Sequence, residues 1–468
     1  MEASNTFYHA ITIERERCQG CSRCMKICPT EAIRMRNGKA TILAGRCVDC
    51  GKCYTRCASR AVVIKQDDFD AIRRYKHSVA LVPTVFLGQF PNEIRVSRIY
   101  AAMKELGFRH VFEVESATDV YVEAKRRYAD EHHDTRPLIS SYCPAVVRLI
   151  QVKYPALVDN LMPLKAPLDL SALYALHKLE EEGIRREEVG LFYITPCAAK
   201  ISAVKSPVGE TRSEIDGVIN MDALYNRVYK IIKEQGAANN FVPLAGPRLS
   251  SDAILLPLTN GERRLCSAKR AYAVDGMENV MEFLEKLENG EIEGVEFLEL
   301  RACDQSCAGA TLSCQNRFLC GERMYARARK VAEREKNGER AHDRELRPQR
   351  EWLIRQSRVD AIKPRSMMAL DSNVGRALEK MEQLRRLSSA LPQIDCGLCG
   401  APTCNTLATD CVCGQASPND CLFFRRHTAA ASLQPTGTTA ERQEGLRTTG
   451  DSPLASVQLL HNETNPNR

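Results

Sequence analysis

Eight of the first sixty residues are cysteines, and they fall in two runs of identical spacing: Cys18-x-x-Cys21-x-x-Cys24-x-x-x-Cys28, then Cys47-x-x-Cys50-x-x-Cys53-x-x-x-Cys57. No other feature constrains the fold as much. Three thiols two residues apart let one loop wrap three corners of a compact inorganic centre. The fourth, three residues on, opens a turn that leads the chain away. The whole chain has 468 residues and 21 cysteines, gathered in tight groups with long stretches between them that have none. A disulfide scaffold would be small, secreted and evenly stapled, whereas this length predicts several domains. The opening residues show neither the basic nor the apolar segment of a secretory signal. No apolar run approaches the ~18 residues that cross a membrane. The expected setting is therefore the reducing cytoplasm, without a membrane span, and the expected role of clustered thiols there is metal ligation.

The spacing is that of bacterial two-cluster ferredoxins, in which the last cysteine of each run ligates the other cluster. One 4Fe-4S cluster is then expected on Cys18, Cys21, Cys24 and Cys57, and a second on Cys47, Cys50, Cys53 and Cys28. Ala58 stands where a proline often follows the last cysteine. Zinc or purely structural thiols would not require two copies at one spacing.

The rest of the chain divides by pattern. Residues 1–66 form the two-cluster module. Residues 67–320 open on a charged stretch and then alternate apolar strands (79–87, 110–114, 137–141, 189–194, 215–221) with amphipathic helical segments such as 93–106. That alternation predicts parallel sheets covered on both faces, with ligands beyond the carboxyl ends of the strands. Residues 321–390 read as a charged helical connector, 391–425 as a small helical cysteine domain, and 426–468 as a disordered tail. The net charge is +7, and residues 322–365 alone carry fourteen Lys and Arg against eight Asp and Glu. Both signs alternate there without interleaved aromatics, which is the pattern of a solvated helix surface and not of a nucleic-acid site.

Four cysteines of the middle region lie in three separate segments: Cys143 in Ser140-Ser-Tyr-Cys-Pro, Cys197 in Thr195-Pro-Cys-Ala-Ala-Lys, and Cys303 and Cys307 in Arg301-Ala-Cys-Asp-Gln-Ser-Cys. By spacing alone they can hold one cubane at a sheet edge. The three segments resemble, in order, the signature segments of the iron-only hydrogenase catalytic domain. That resemblance implies a two-lobed parallel α/β domain. It also implies a cubane on Cys143, Cys197, Cys303 and Cys307, bridged through Cys307 to a two-iron subcluster, with Lys200 hydrogen-bonding a cyanide ligand. The departures are specific. Tyr142 replaces the cysteine that relays protons, and a phenol is a poorer shuttle than a thiol at neutral pH. Thr195 and Arg301 replace methionines, Ala203 replaces a glutamate, and Asp304, Gln305 and Ser306 replace a glycine-containing stretch. These features are similar to the divergent, sensory branch of the family (group D). Hydrogenase-like proteins of cluster assembly are the neighbouring alternative, without the extra C-terminal motif.

That motif, Asp395-Cys-Gly-Leu-Cys-Gly-Ala-Pro-Thr-Cys404 followed by Cys421, resembles a small 4Fe-4S domain. Its expected ligands are Cys396, Cys399, Cys404 and Cys421, with zinc as the competing metal. Cys411 and Cys413 are expected to be a partly buried thiol pair on a helix, with an alternate ligand as the competing reading, and Cys266, Cys314 and Cys320 ordinary buried thiols. Two functions remain. One is a hydrogenase-like redox protein, a slow ferredoxin-linked hydrogenase or a hydrogen or redox sensor, with Tyr142, Lys200 and Cys307 at its centre. The other is a non-catalytic electron-transfer or regulatory protein with four cubanes and no two-iron centre. Either needs a redox partner protein or ferredoxin, and a sensor needs a separate signalling protein.

Overall fold

The structure is a computed structural model that describes residues 7–235, 249–336, 348–365, 370–371 and 373–425. The expected tail at 426–468 lies outside the described residues. Among the described residues no helix is long and apolar enough to cross a membrane.

The N-terminal module has four short strands, β1 (Ile11–Ile13), β2 (Ile33–Arg36), β3 (Lys39–Ile42) and β4 (Val62–Ile64), in two antiparallel pairs, β1 with β4 and β2 with β3. The β2–β3 turn is Asn37-Gly38, both at positive φ, as a tight hairpin demands. Cys24 and Cys53 ride on the helical turns Arg23–Lys26 and Lys52–Arg56.

Among the described residues seven parallel strands follow: β5 (His77–Val82), β6 (His110–Glu113), β7 (Leu138–Ile139), β8 (Val189–Thr195), β9 (Gly217–Asn220), β10 (Ala271–Asp275) and β11 (Phe297–Arg301). They form two sheets, ordered β6-β5-β8-β9 and β10-β11-β7, which are the expected two parallel lobes. Every residue of β8 is buried, as a strand covered on both faces requires. The run read as a strand over 79–87 stops at Val82. Pro83 lacks the amide that would extend the ladder, and Thr84–Leu87 turns into a helix. β10 and β11 were not read from the sequence. β10 is half exposed, and β11 hides Glu299 and Arg301 in a fully buried strand.

The charged stretch is not a solvated connector throughout. Helix Arg317–Lys336 buries Cys320, Met324 and Ala328. Two of its arginines are spent on backbone: Arg323 Nη1 donates to the Gln89 carbonyl at 2.9 Å, and Arg327 Nη2 to the Leu87 carbonyl at 3.1 Å. Leu353 and Ile354 join the main core, and Ile362 joins the core beneath β11. Further on, helix Val374–Ala390 packs on helix Cys404–Val412 of the C-terminal cysteine domain.

Candidate metal centres and the buried site between the lobes

Two near-identical half-sites make up the N-terminal module. Cys18, Cys21, Cys24 and Cys57 line one cavity, together with Met35 and Ala40. Burial pushes the Cys24 thiol up to about 11, helped by the charges of Cys18, Cys21 and Cys57. Cys53 is likewise raised by burial and by Cys50 and Cys28, and Cys47 by burial, Asp49, Cys50 and Cys53. The fold thus exchanges the fourth cysteine of each run between the two groups. Backbone amides aim at the sulfurs: Ala32 N at Cys28 Sγ and Ala61 N at Cys57 Sγ, both 3.2 Å, and Ala40 N at Cys18 Sγ, 3.4 Å. Sulfurs packed this closely in a buried site repel one another as thiolates, so an iron–sulfur cluster's positive irons and these donors suit the donor set.

Cys143 and Cys307 come from the lobe of β7 and β11, and Cys197 from the lobe of β8. Each follows the carboxyl end of its strand. Cys143 and Cys197 are the residues from which helices Pro144–Lys153 and Ala198–Lys205 start, and burial pushes the Cys197 thiol up to about 12. Cys303 is raised far above its ordinary value by burial, then by Cys197, Cys143, Cys307 and Cys50. The four cysteines of the three segments are therefore near enough for their charges to act on one another, and Cys50 of the N-terminal module lies near enough to act on Cys303. Gly51 (φ 81) makes this approach sterically feasible, since a Cβ there would lie 2.3 Å from Thr311 Cγ2.

Two cations flank Cys307. Burial raises its thiol, while Lys200 and Arg301 pull it back. Lys200 sits on the first turn of helix Ala198–Lys205, buried, and makes no hydrogen bond among the described residues; its Nζ lies 4.6 Å from the Tyr142 ring centre. The Arg301 guanidinium stacks on the same ring at 3.6 Å, with Nη1 unpartnered. Tyr142, only 2% exposed, thus has two buried cations against its ring beside Cys307. Unpaired buried donors of this kind fit an anionic ligand such as cyanide next to a bridging thiolate. Tyr142 narrows that space without removing the donors.

Sequence reasoning missed what anchors this arrangement. Glu262 looks like a surface residue in Asn260-Gly-Glu-Arg-Arg, yet it is 1% exposed. It accepts four bonds of 2.8 Å, from Lys125 Nζ, Tyr121 OH, Ser140 Oγ and Arg301 Nη2. Burial would raise its carboxyl, but Lys125 and Arg301 outweigh burial and hold it down at about 2. Glu115, raised by burial to about 7, accepts the Thr84 amide at 2.8 Å and lies near Lys200. No local pattern marks either residue; only the packing does.

The departures also find places. Thr195 Oγ1 donates to the Cys197 carbonyl at 2.9 Å and steadies that loop. Ala203 lines a cavity that also touches Tyr142, Lys200 and Asp169. Gln305 and Ser306 adopt φ of 60° and 51°, the left-handed region that glycine occupies most easily. In the C-terminal domain, Cys399 is raised by burial and by Cys421 and Cys396, and Asp395 Oδ1 accepts the Cys404 amide at 2.6 Å. Cys411 is partly buried within reach of Cys399, and Cys413 is exposed. Cys314 is exposed, contrary to expectation, because the chain between Leu312 and helix Arg317–Lys336 runs over the surface, while Cys320 is buried.

Comparison with known proteins matches these parts. Residues 10–58 match a 4Fe-4S dicluster domain, residues 76–241 the C-terminal domain of the iron-only hydrogenase large subunit, and residues 391–423 a putative Fe-S cluster domain. Iron hydrogenase 1 of Clostridium pasteurianum is 26% identical over 62% of this chain and 54% of its own length. The periplasmic Fe hydrogenase large subunit of Nitratidesulfovibrio vulgaris is 27% identical over 41% of this chain and 50% of its own. The chain thus spans about half the length of these curated relatives. A solved FeFe-hydrogenase of Chlamydomonas reinhardtii aligns at 17% identity and TM-score 0.47, over 65% of this chain and 97% of that one.

Proposed function

We propose that this hydrogenase-like iron–sulfur protein carries electrons through ferredoxin-type clusters to a hydrogenase-type centre and activates hydrogen there slowly, in hydrogen or redox sensing. In this reading Cys18, Cys21, Cys24 and Cys57 hold one cluster and Cys28, Cys47, Cys50 and Cys53 the next. Cys143, Cys197, Cys303 and Cys307 hold the third, and Cys396, Cys399, Cys404 and Cys421 a fourth. The observation that carries the proposal is the pair of buried cations beside Cys307, Lys200 and Arg301, with Nε and Nη1 of Arg301 unpartnered. A two-iron centre bound through Cys307 would supply the open iron site at which protons and electrons interconvert with hydrogen. Lys200 would orient its anionic ligands, and Arg301 would balance their charge. The approach of Cys50 to Cys303 supports direct electron passage from the second ferredoxin cluster. Tyr142 in the relay position supports slow turnover. The sensing role would involve a redox carrier and a separate signalling protein as partners.

The test is to load the anaerobically reconstituted protein with a synthetic two-iron precursor and record infrared spectra and hydrogen uptake. Bands of iron-bound carbon monoxide and cyanide, with slow uptake, are expected. Their absence would leave the non-catalytic reading, which Tyr142 favours by narrowing the space beside Cys307. That reading requires about sixteen irons and sixteen sulfides per chain, four of each per cubane, and no further iron.

A further inference from the structure

The C-terminal cysteine domain is built onto the ferredoxin-like module and not merely tethered to it. Arg34 of β2 and Asp410 of helix Cys404–Val412 form a two-pronged ion pair, Nε to Oδ2 at 2.5 Å and Nη2 to Oδ1 at 2.9 Å, with both side chains almost fully buried. Arg36 adds a bond of 3.2 Å to the same carboxylate. Glu31 accepts from Thr406 Oγ1 at 2.5 Å and from Thr403 Oγ1 at 3.4 Å. The Met35 amide donates to the Gly400 carbonyl at 2.8 Å.

The seam lies beside cysteines of both groups. Gly400 (φ 83) approaches so tightly that a Cβ would lie 2.2 Å from the Met35 carbonyl oxygen, and a Cβ on Gly397 (φ 75) would lie 3.0 Å from Met25 Cε. Met25 follows Cys24, and Met35 lines the cavity of Cys18, Cys21, Cys24 and Cys57. The glycines flanking Cys396 and Cys399 thus let this loop lie against the wall of the first ferredoxin site. Elsewhere on the same domain, Ile394, Leu398, Leu422 and Phe423 are exposed.

We infer that the C-terminal site on Cys396, Cys399, Cys404 and Cys421 is the outermost station of the electron path, exchanging electrons with the first ferredoxin site across the fixed seam at Met25 and Met35. This rests on the reading that both cysteine groups hold 4Fe-4S clusters. A reduced one-electron carrier protein gives one electron to the C-terminal cluster. That electron then passes to the first ferredoxin cluster, which is reduced by one as the C-terminal cluster is oxidised by one. No bond or proton changes. The path runs from the C-terminal site through the two ferredoxin sites to Cys303, so the ferredoxin module is its middle and not its outer end.

The experiment uses the full chain, reconstituted with iron and sulfide. Gly400→Val and Asp410→Lys wedge or repel the seam; Cys399→Ala removes the outer site. Electron paramagnetic resonance power saturation of the reduced protein reads the spacing between clusters. The seam variants should keep their iron while the half-saturation power of the C-terminal signal falls several-fold. Cys399→Ala should lose about four irons and slow reduction of the remaining clusters by reduced ferredoxin at least ten-fold. Unchanged relaxation in both seam variants at full iron content, or reduction of Cys399→Ala at the wild-type rate, overturns the inference. So does a wild-type protein with no cluster at the C-terminal motif. None of these measurements uses the two-iron centre, so failure of hydrogen activation leaves the inference standing, and its own failure leaves the reading of Cys307 standing.

Discussion

Replacing Glu262 by Gln should destabilise the central domain by about 3 kcal/mol. Two independent routes give that size. The carboxyl is held at about 2 against an ordinary 4.5, a gap worth about 3 kcal/mol between charged and neutral forms. Separately, removing one partner of a buried ion pair costs about 3–5 kcal/mol, because the other charge stays buried. Here two cations would be stranded, Lys125 and Arg301, and Arg301 keeps a second carboxylate, Glu299, at 3.5 Å. For a domain of about 150–250 residues this loss lowers the melting temperature by about 6–12 °C. Anaerobic differential scanning calorimetry measures it. The pH dependence gives a second check. A depressed carboxyl adds stability that is fully present above its unfolded value and is lost as pH falls toward the folded one. The wild type should therefore lose this increment between about pH 4.5 and 2, and Glu262→Gln should not. A shift below about 2 °C, together with an unchanged acid limb, would refute the claim that Glu262 anchors the Tyr142–Arg301 stack.

Three further outcomes are expected. Tyr142→Cys restores a thiol at the relay position and should raise hydrogen turnover of the loaded protein by at least about ten-fold, within the range of acid–base relays; unchanged turnover would place the limit elsewhere. Ser306→Gly should stabilise the protein by about 1 kcal/mol in calorimetry by relieving the left-handed backbone at φ 51°, the strain outweighing the lost 3.2 Å contact to Thr259 Oγ1; a lower melting temperature would refute this. Gly51→Val, whose Cβ would strike Thr311, should leave cluster content intact yet slow electron passage to the middle site, read by freeze-quench spectroscopy after reductant mixing.

The parallel architecture was legible because strands buried on both faces must be continuously apolar, as 189–194 are, and because helices of period 3.6 separate them. β11 was not, since its Glu299 and Arg301 suggest a surface and only a partner supplied from elsewhere in the fold lets them be buried. Pro83 cut a strand that apolar content alone would have extended. The charged stretch after 320 was misjudged for a related reason: a basic residue on a helix reads as solvated unless the carbonyls it will cap are known, and those of Leu87 and Gln89 lie more than 230 residues away in sequence.

By itself the sequence determined which thiols are grouped, because cluster ligation is written in local spacing, and it identified the three segments around Cys143, Cys197 and Cys303. What the tertiary structure decided is how the groups are joined and what surrounds them. Cys50 lies near Cys303, Gly400 lies against Met35, and the Tyr142 ring carries Lys200 and Arg301 against it, with Arg301 bonded to a buried Glu262. Those relations depend on charges and backbone groups brought together from distant parts of the chain. Their energies exist only once burial has removed water from between them.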